Sequence, residues 1–145
     1  MTKIDEIAKK AKQAYWERVK FLDKKHVVEA LCQAGLDEAC EGFWVYYVRE
    51  DLEFYSPRFR EALGFDIDTF PDSPESWKKY MLPADKRIAI KLFGDMLKGK
   101  GDYRQVVHYE RGRGDLVKLL CEASIVEYED GVPSVVIGLH MYYKD

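Results

Sequence analysis

Apolar positions follow two different spacings along this chain. Near the N-terminus they return every three or four residues, at Ile4, Ile7, Ala11, Ala14 and Phe21. That spacing predicts a charged amphipathic helix over 3–25, broken by Arg18 and Lys25 and too short for a coiled coil, which should hold its pattern for about three heptads or more. Val27, Val28, Leu31 and Cys32 predict a second helix over 26–34, stopped at Gly35, and 36–41 reads as one further turn. From Phe43 to Val48 the apolar residues run together, aromatic and β-branched, as in a buried strand. Glu50-Asp51 is a polar break, and 52–55 resumes as a second strand. Ser56-Pro57 then has the form of a helix start, a hydroxyl cap followed by proline at the first helical position. Phe59, Ala62, Leu63 and Phe65 continue at helical spacing, with Gly64 at the stop.

Proline and aspartate make 66–74 a loop. Ser73-Pro74 opens a short helix carrying Trp77, Tyr80 and Met81, which Pro83 ends. Asp85 is expected to cap the next helix, 86–98, with a stripe of Ile88, Ala89, Leu92, Phe93, Met96 and Leu97. Three strands follow, over 103–110, 116–128 and 132–143, joined by Gly/Asp turns at 111–115 and 129–131. Two strands, helices, then three strands predict an α+β fold with helices on one face of a five-stranded antiparallel sheet. The first strand must join the last three, because a lone two-stranded hairpin is marginal.

In the first strand Trp44, Tyr46 and Val48 share one face, and Phe43, Val45 and Tyr47 the other. Neither set is polar, so both faces need cover. Helices after the second strand can cover one. The N-terminal helices or a second copy of the chain must cover the other, which makes Phe43, Val45 and Tyr47 candidates for a dimer face and a homodimer the expected assembly. The division expected is a helical extension over 1–37 and a domain over 38–145.

At 145 residues the chain suits one domain able to bury a full core without staples. Its net charge of −3 gives no basic face for nucleic acid. No apolar run nears the roughly 20 residues that span a bilayer, and the charged N-terminus lacks a signal core, so no membrane partner and a cytoplasmic setting are expected. Cys32, Cys40 and Cys121 form no CxxC and read as free thiols in a reducing compartment.

Most candidate chemistry is excluded by context. Gly94 to Lys100 nearly spells a phosphate loop, but Gly101 stands where Ser or Thr should ligate magnesium, and the segment leaves a helix rather than a strand. Arg113-Gly114-Asp115 is a hairpin tip. His26, His108 and His140 lack metal-ligand spacing, although His108 and His140 could approach each other from neighbouring strands. Glu122 and Glu127 alternate with apolar residues and are expected to face water. No catalytic set and no metal site emerge. What remains is an aromatic interior, Trp44, Tyr46, Phe54, Phe59, Phe70, Trp77 and Phe93. It either fills a core or walls a small pocket, with Tyr46, Tyr80 and His108 as its polar groups.

In order along the chain, Gly42-Phe-Trp-Val-Tyr46, Phe54-Tyr-Ser-Pro57, Leu63-Gly-Phe65, Trp77 with Pro83-x-Asp85, and Glu129-Asp-Gly-Val-Pro133 with Gly138 resemble the landmarks of a PAS sensory domain. The resemblance covers residues 38–143. It implies a sheet over short helices, a flanking N-terminal helix and frequent dimerisation. It also implies a sensory or interaction module of bacterial signal transduction, without catalysis of its own, that binds a small molecule or partner and signals to an effector domain. Haem-binding relatives use a histidine on the long helix, which has none here. Flavin photosensors use a Gly-x-Asn-Cys-Arg-type motif, and this chain has no asparagine and no cysteine between Cys40 and Cys121. Both cofactors are therefore argued against, and an unknown small molecule is the expected ligand. The pattern departs from the family at Tyr142, where an Asp often carries signal onward, at Leu119 for an aromatic residue, and at Gly114-Asp115, a reversed Asp-Gly. Two other readings stand beside it: a cone-shaped α+β enzyme or carrier for a hydrophobic ligand, and a plain dimerisation module with a filled core.

Overall fold

The computed structural model describes residues 2–143. Its centre is one antiparallel five-stranded sheet in the order β2–β1–β5–β4–β3. The strands are β1 (Phe43–Tyr47), β2 (Leu52–Tyr55), β3 (Tyr103–Glu110), β4 (Leu116–Glu129) and β5 (Val132–Tyr142). The first strand joins the last three through β5, with Phe43 opposite Leu139 and Trp44 opposite Gly138. Helices α1 (Lys3–Ala14), α2 (Lys24–Gln33) and α3 (Leu36–Ala39) cover the outer face. Helices α4 (Pro57–Leu63), α5 (Pro74–Tyr80) and α6 (Pro83–Leu97) lie on the inner face.

Strand periodicity makes two cores from one sheet. Phe43, Val45, Tyr47, Val135, Ile137 and Leu139 pack outward against Ile4, Ile7, Ala11, Val27 and Leu31. Trp44, Tyr55, Val107, Leu119, Cys121 and Val136 pack inward with Phe59, Leu63, Phe70 and Ala89. The expected dimer face is therefore corrected. Phe43 and Val45 are fully buried and Tyr47 nearly so, beneath the chain's own helices, which leaves a second copy no seat on them.

Local chemistry fixes the helix ends. Thr2 and Asp5 form a reciprocal capping box on α1. Ser56 caps α4 through the Phe59 N–H, and its hydroxyl also accepts from the Phe43 N–H at 3.0 Å, so one side chain ties α4 to β1. The predicted helix over 3–25 divides. After Ala14 the chain widens into one π-helical turn, Tyr15–Val19, closed by Lys20 N–H on the Tyr15 carbonyl. That turn lets consecutive residues reach β4 where its register shifts: Tyr15 Oη donates to Glu127 at 2.9 Å and Trp16 Nε1 to the Val126 carbonyl at 2.8 Å. The face then rotates, and Phe21, expected inside, is 91% exposed.

Other expectations are corrected as well. Helix α6 starts at Pro83 and does not use Asp85 as its cap. Asp85 Oδ2 instead accepts from the His108 N–H at 2.7 Å and lies 2.9 Å from His108 Nδ1. With the Leu82 N–H on the His108 carbonyl, this covers the edge of β3, which would otherwise present unpaired backbone. Ile88 is half exposed and lies outside the buried stripe of α6. Glu122 and Glu127 do not simply face water: Glu127 holds Tyr15, and Glu122 sits with Arg104 beside Asp5 of α1. His108 and His140 do not meet, because β4 separates β3 from β5.

Candidate functional site

Between the inner face of the sheet and helices α5 and α6 lies a cavity of about 230 Å³. Strand β1 supplies Trp44 and Tyr46 because their parity points them inward, and the cross-strand partners Tyr55 and Glu53 of β2 point the same way. Trp44 can lie flat only because residue 138 is glycine: a Cβ there would come within 2.0–2.6 Å of the indole. Tyr103 and Tyr109 of β3 and Cys121 of β4 close the floor. Trp77 and Lys78 of α5 form one wall, and Ala89, Phe93 and Gly94 of α6 the other. Phe93 ties the aromatic lining together, with its ring centroid 5.6 Å from Tyr46, 6.1 Å from Tyr103 and 6.2 Å from Trp44. Exposed Asp51 and Ile90 mark the mouth, while buried Glu53, Tyr109 and Cys121 mark the interior.

Two carboxyl groups sit among these rings. Asp51 is held in the β1–β2 turn at φ 54°, a left-handed conformation that aspartate tolerates better than most residues, and it accepts the Tyr46 hydroxyl at 2.6 Å. Glu53 is 5% exposed. Burial pushes its carboxyl up to about 8; the Tyr55 hydroxyl and Lys78 oppose that shift, and Asp51 adds to it. Tyr55 offers little relief, since its own proton goes to the Ser73 carbonyl at 2.8 Å. Burial also pushes the Tyr46, Tyr103 and Tyr109 phenols and the Cys121 thiol upward, so all four stay neutral near pH 7.

Of the residues singled out as pocket candidates, Trp44, Tyr46, Trp77 and Phe93 line this cavity. The other five do not. Phe59 and Phe70 are fully buried in the core beside it, with Phe59 stacked on His140 at 4.3 Å and Phe70 edge-on to Tyr55 at 4.7 Å. Tyr80 packs against Phe65 with ring centroids 4.2 Å apart and planes tilted by 35°. His108 is engaged with Asp85. Phe54 points to the opposite face because β2 parity places Glu53 and Tyr55 inward; it lines a second hollow between α2 and β2. Arg60 and Asp72 of that hollow are already engaged. Arg60 donates to Asp72 at 2.8 Å, to the Phe70 carbonyl at 2.7 Å and to the Tyr55 carbonyl at 3.0 Å, fastening α4 to the 66–74 loop.

Sequence reasoning missed Glu53, Asp51, Lys78, Tyr103, Tyr109 and Cys121. The signal for Glu53 was parity: Tyr55, beside the helix start at Ser56-Pro57, must face the helices, and Glu53 shares its side of the strand. Among the described residues no group of three or more His, Cys, Asp or Glu could hold a metal ion. Nor is any helix long and apolar enough to cross a membrane.

Comparison with known proteins adds family information. The profile of the PAS fold family matches residues 52–140. No curated protein matches the chain by sequence. Among solved structures, a sensory box histidine kinase/response regulator from Burkholderia thailandensis is similar at TM-score 0.62 and 18% identity, over 77% of this chain and 82% of that one. The N-terminal domain of a diguanylate cyclase with a PAS/PAC sensor from Marinobacter aquaeolei has TM-score 0.61 and 17% identity, over 70% and 93%. A LOV protein from Rhodobacter sphaeroides has TM-score 0.59 and 12% identity, over 98% and 68%, a span that takes in the N-terminal helices.

Proposed function

The chain belongs to the PAS fold family, and from that premise we propose that it is a sensory module of signal transduction whose inner-face cavity receives a small molecule. The observation that carries this reading is the cavity itself: a space of about 230 Å³ walled by aromatic rings and holding a few convergent polar groups. A dimerisation module with a filled core has no use for such a space. The similar structures named for a histidine kinase and a diguanylate cyclase favour an effector of that kind as the output partner.

Signal would pass through the sheet. Strands β1 and β4 wall the cavity with Trp44, Tyr46 and Cys121, and their outward residues Phe43, Val45 and Val126 carry the N-terminal helices. A ligand that prefers one seating of those helices over another shifts the balance only by its difference in affinity, typically about 1–3 kcal/mol. We assign no catalysis to this chain. Its histidine–carboxylate pair, His108–Asp85, fastens α6 to β3, and among the described residues no hydroxyl or thiol hydrogen-bonds to it. Kinase, cyclase or phosphodiesterase turnover by the purified chain would contradict that assignment.

We read flavin as a poor match for this cavity. The volume lies below the ~300 Å³ at which pockets for drug-sized ligands begin. Among the described residues Cys121 is the only cysteine in its wall, and burial raises that thiol away from the reactive thiolate. Cys32, Cys40 and Cys121 are all free, which suits a reducing compartment such as the cytoplasm. Thermal-shift screening against a broad set of small metabolites tests the reading. A ligand at 100 times its dissociation constant should add about 2.7 kcal/mol of stability. A set without a single stabilising compound would return the cavity to the status of a packing defect.

A further inference from the structure

We propose that the cavity selects small organic cations, ammonium groups carrying apolar substituents, with Glu53 as the anionic anchor and the rings of Trp44, Tyr46, Trp77, Phe93 and Tyr103 as the cage. This rests on the reading of the cavity as a ligand site and names the class of ligand it takes. Three observations support it. Aromatic side chains line the cavity from both the sheet and the helices, and a ring attracts a cation that lies over its face within about 6 Å of the centroid. Two carboxyl groups, Glu53 inside and Asp51 at the mouth, stand against a single lysine. That lysine, Lys78, is turned toward Glu75 at 3.6 Å on its own helix, with its ammonium 5.9 Å from the Trp77 ring.

Glu53 is the informative group. A carboxyl 5% exposed in an apolar cavity is costly unless something compensates it. Without a ligand the compensation is a proton, since burial raises this group to about 8. A bound ammonium offers a second compensation. The cation stabilises the carboxylate, the proton leaves for solvent, and charge in the cavity balances. Groups facing Glu53 do not compete for that proton. From β1 and β3 come the phenols of Tyr46, Tyr103 and Tyr109, from β2 that of Tyr55 and from β4 the Cys121 thiol, all pushed upward. The remaining charges are Asp51 in the turn, Lys78 on α5 and, farther along β3, Asp85 on α6.

Isothermal titration of the full chain tests this with three probes of similar shape: benzyltrimethylammonium, its neutral carbon isostere neopentylbenzene, and benzenesulfonate. The cation should bind at least about tenfold more tightly than the isostere, and the anion more weakly than either. Cation affinity should rise with pH up to about 8, the pH at which Glu53 ionises unaided, and binding near neutral pH should release a proton, read from the dependence of the heat on buffer. Glu53→Gln should cost the cation about tenfold and abolish the proton release while leaving the isostere unchanged. Asp51→Asn, which keeps the left-handed turn, should cost the cation a smaller factor and spare the isostere. Equal binding of cation and isostere, or an effect of Glu53→Gln on both alike, would overturn the cation assignment while leaving the cavity a ligand site. Failure of all three probes, together with neutral compounds that stabilise the chain, would overturn it in the same way. Failure of the probes and of the metabolite screen together would remove both readings.

Discussion

The two faces of β1 carry nearly the same composition and do different work. Outward, Phe43, Val45 and Tyr47 are sealed against α1, α2 and α3, with Leu31 and Val45 fully buried. Inward, Trp44 and Tyr46 border an opening that contains two carboxyl groups and a lysine. Aromatic content therefore does not separate core from pocket. What separates them is what lies opposite. Apolar helices of complementary spacing fill the outer face, whereas α6 presents Gly94 to the inner one, with nothing within 4 Å of where its side chain would be. The outer face supplies stability and the inner face keeps room.

Removing residues 1–35 breaks the comparison most severely. It strips the cover from Phe43, Val45, Ile137 and Leu139 together, and the expected product is an aggregating chain with no cooperative unfolding transition. A monodisperse, folded truncation seen by light scattering and calorimetry would mean that the outer face needs no cover. A single change on the same side, Leu31→Ala, should cost about 2–5 kcal/mol in urea denaturation, since a fully buried leucine leaves a void among rigid neighbours. A loss below about 1 kcal/mol would place that face outside the tightly packed core.

The inner side should show itself through pH. Glu53 titrates near 4.5 when unfolded and at about 8 when folded, so the fold holds the extra proton and stability falls as pH rises between those values. His140 behaves oppositely. Stacked on Phe59 and fully buried, with Nε2 unpartnered among the described residues, it is lowered by burial from 6.5 to about 3, so stability falls as pH drops through that window. The two slopes offset each other between 4.5 and 6.5. Their joint prediction is a plateau there, an acid limb removed by His140→Gln and an alkaline limb removed by Glu53→Gln, each about 1.4 kcal/mol per pH unit. Chemical denaturation across pH checks both limbs; an unchanged alkaline limb in Glu53→Gln would show that Glu53 is not a neutral acid in the fold.

The smallest expected effect is Gly94→Ala. A glycine inside a helix costs up to about 1 kcal/mol against alanine, and the added methyl meets open space, so the variant should gain about 0.5–1 kcal/mol. A loss instead of a gain would mean that the cavity wall is already packed.

These contrasts also explain how far the sequence could be read. Strand and helix identities followed from spacing and from Ser56-Pro57, Ser73-Pro74 and the Gly/Asp turns, because those signals are local. The need for cover on both faces of β1 followed from its lack of polar residues. Whether helices or a second copy supplied that cover did not, since Ile4 to Ala11 would suit either. Pocket residues were harder, because Trp44 and Phe59 look alike as letters and differ only in what stands opposite. Phe54 was placed inside by its aromatic character, although the parity of β2 turns it outward. Glu53 went unnoticed because a carboxylate beside a turn ordinarily faces water. Asp85 was assigned a cap by position, while its partner His108 lies on another element and could be found only in three dimensions.

The sensory reading requires that the inner cavity be a receptor rather than a flaw. Gly94→Leu adds a side chain at a position that lines that space, where a Cβ would meet nothing within 4 Å. Thermal unfolding of the native chain and of this variant, each with and without the compounds that stabilise the native chain, decides the matter. The variant should melt no lower than the native chain and should no longer respond to those compounds. A variant that responds as fully as the native chain would place ligand binding elsewhere and contradict that reading.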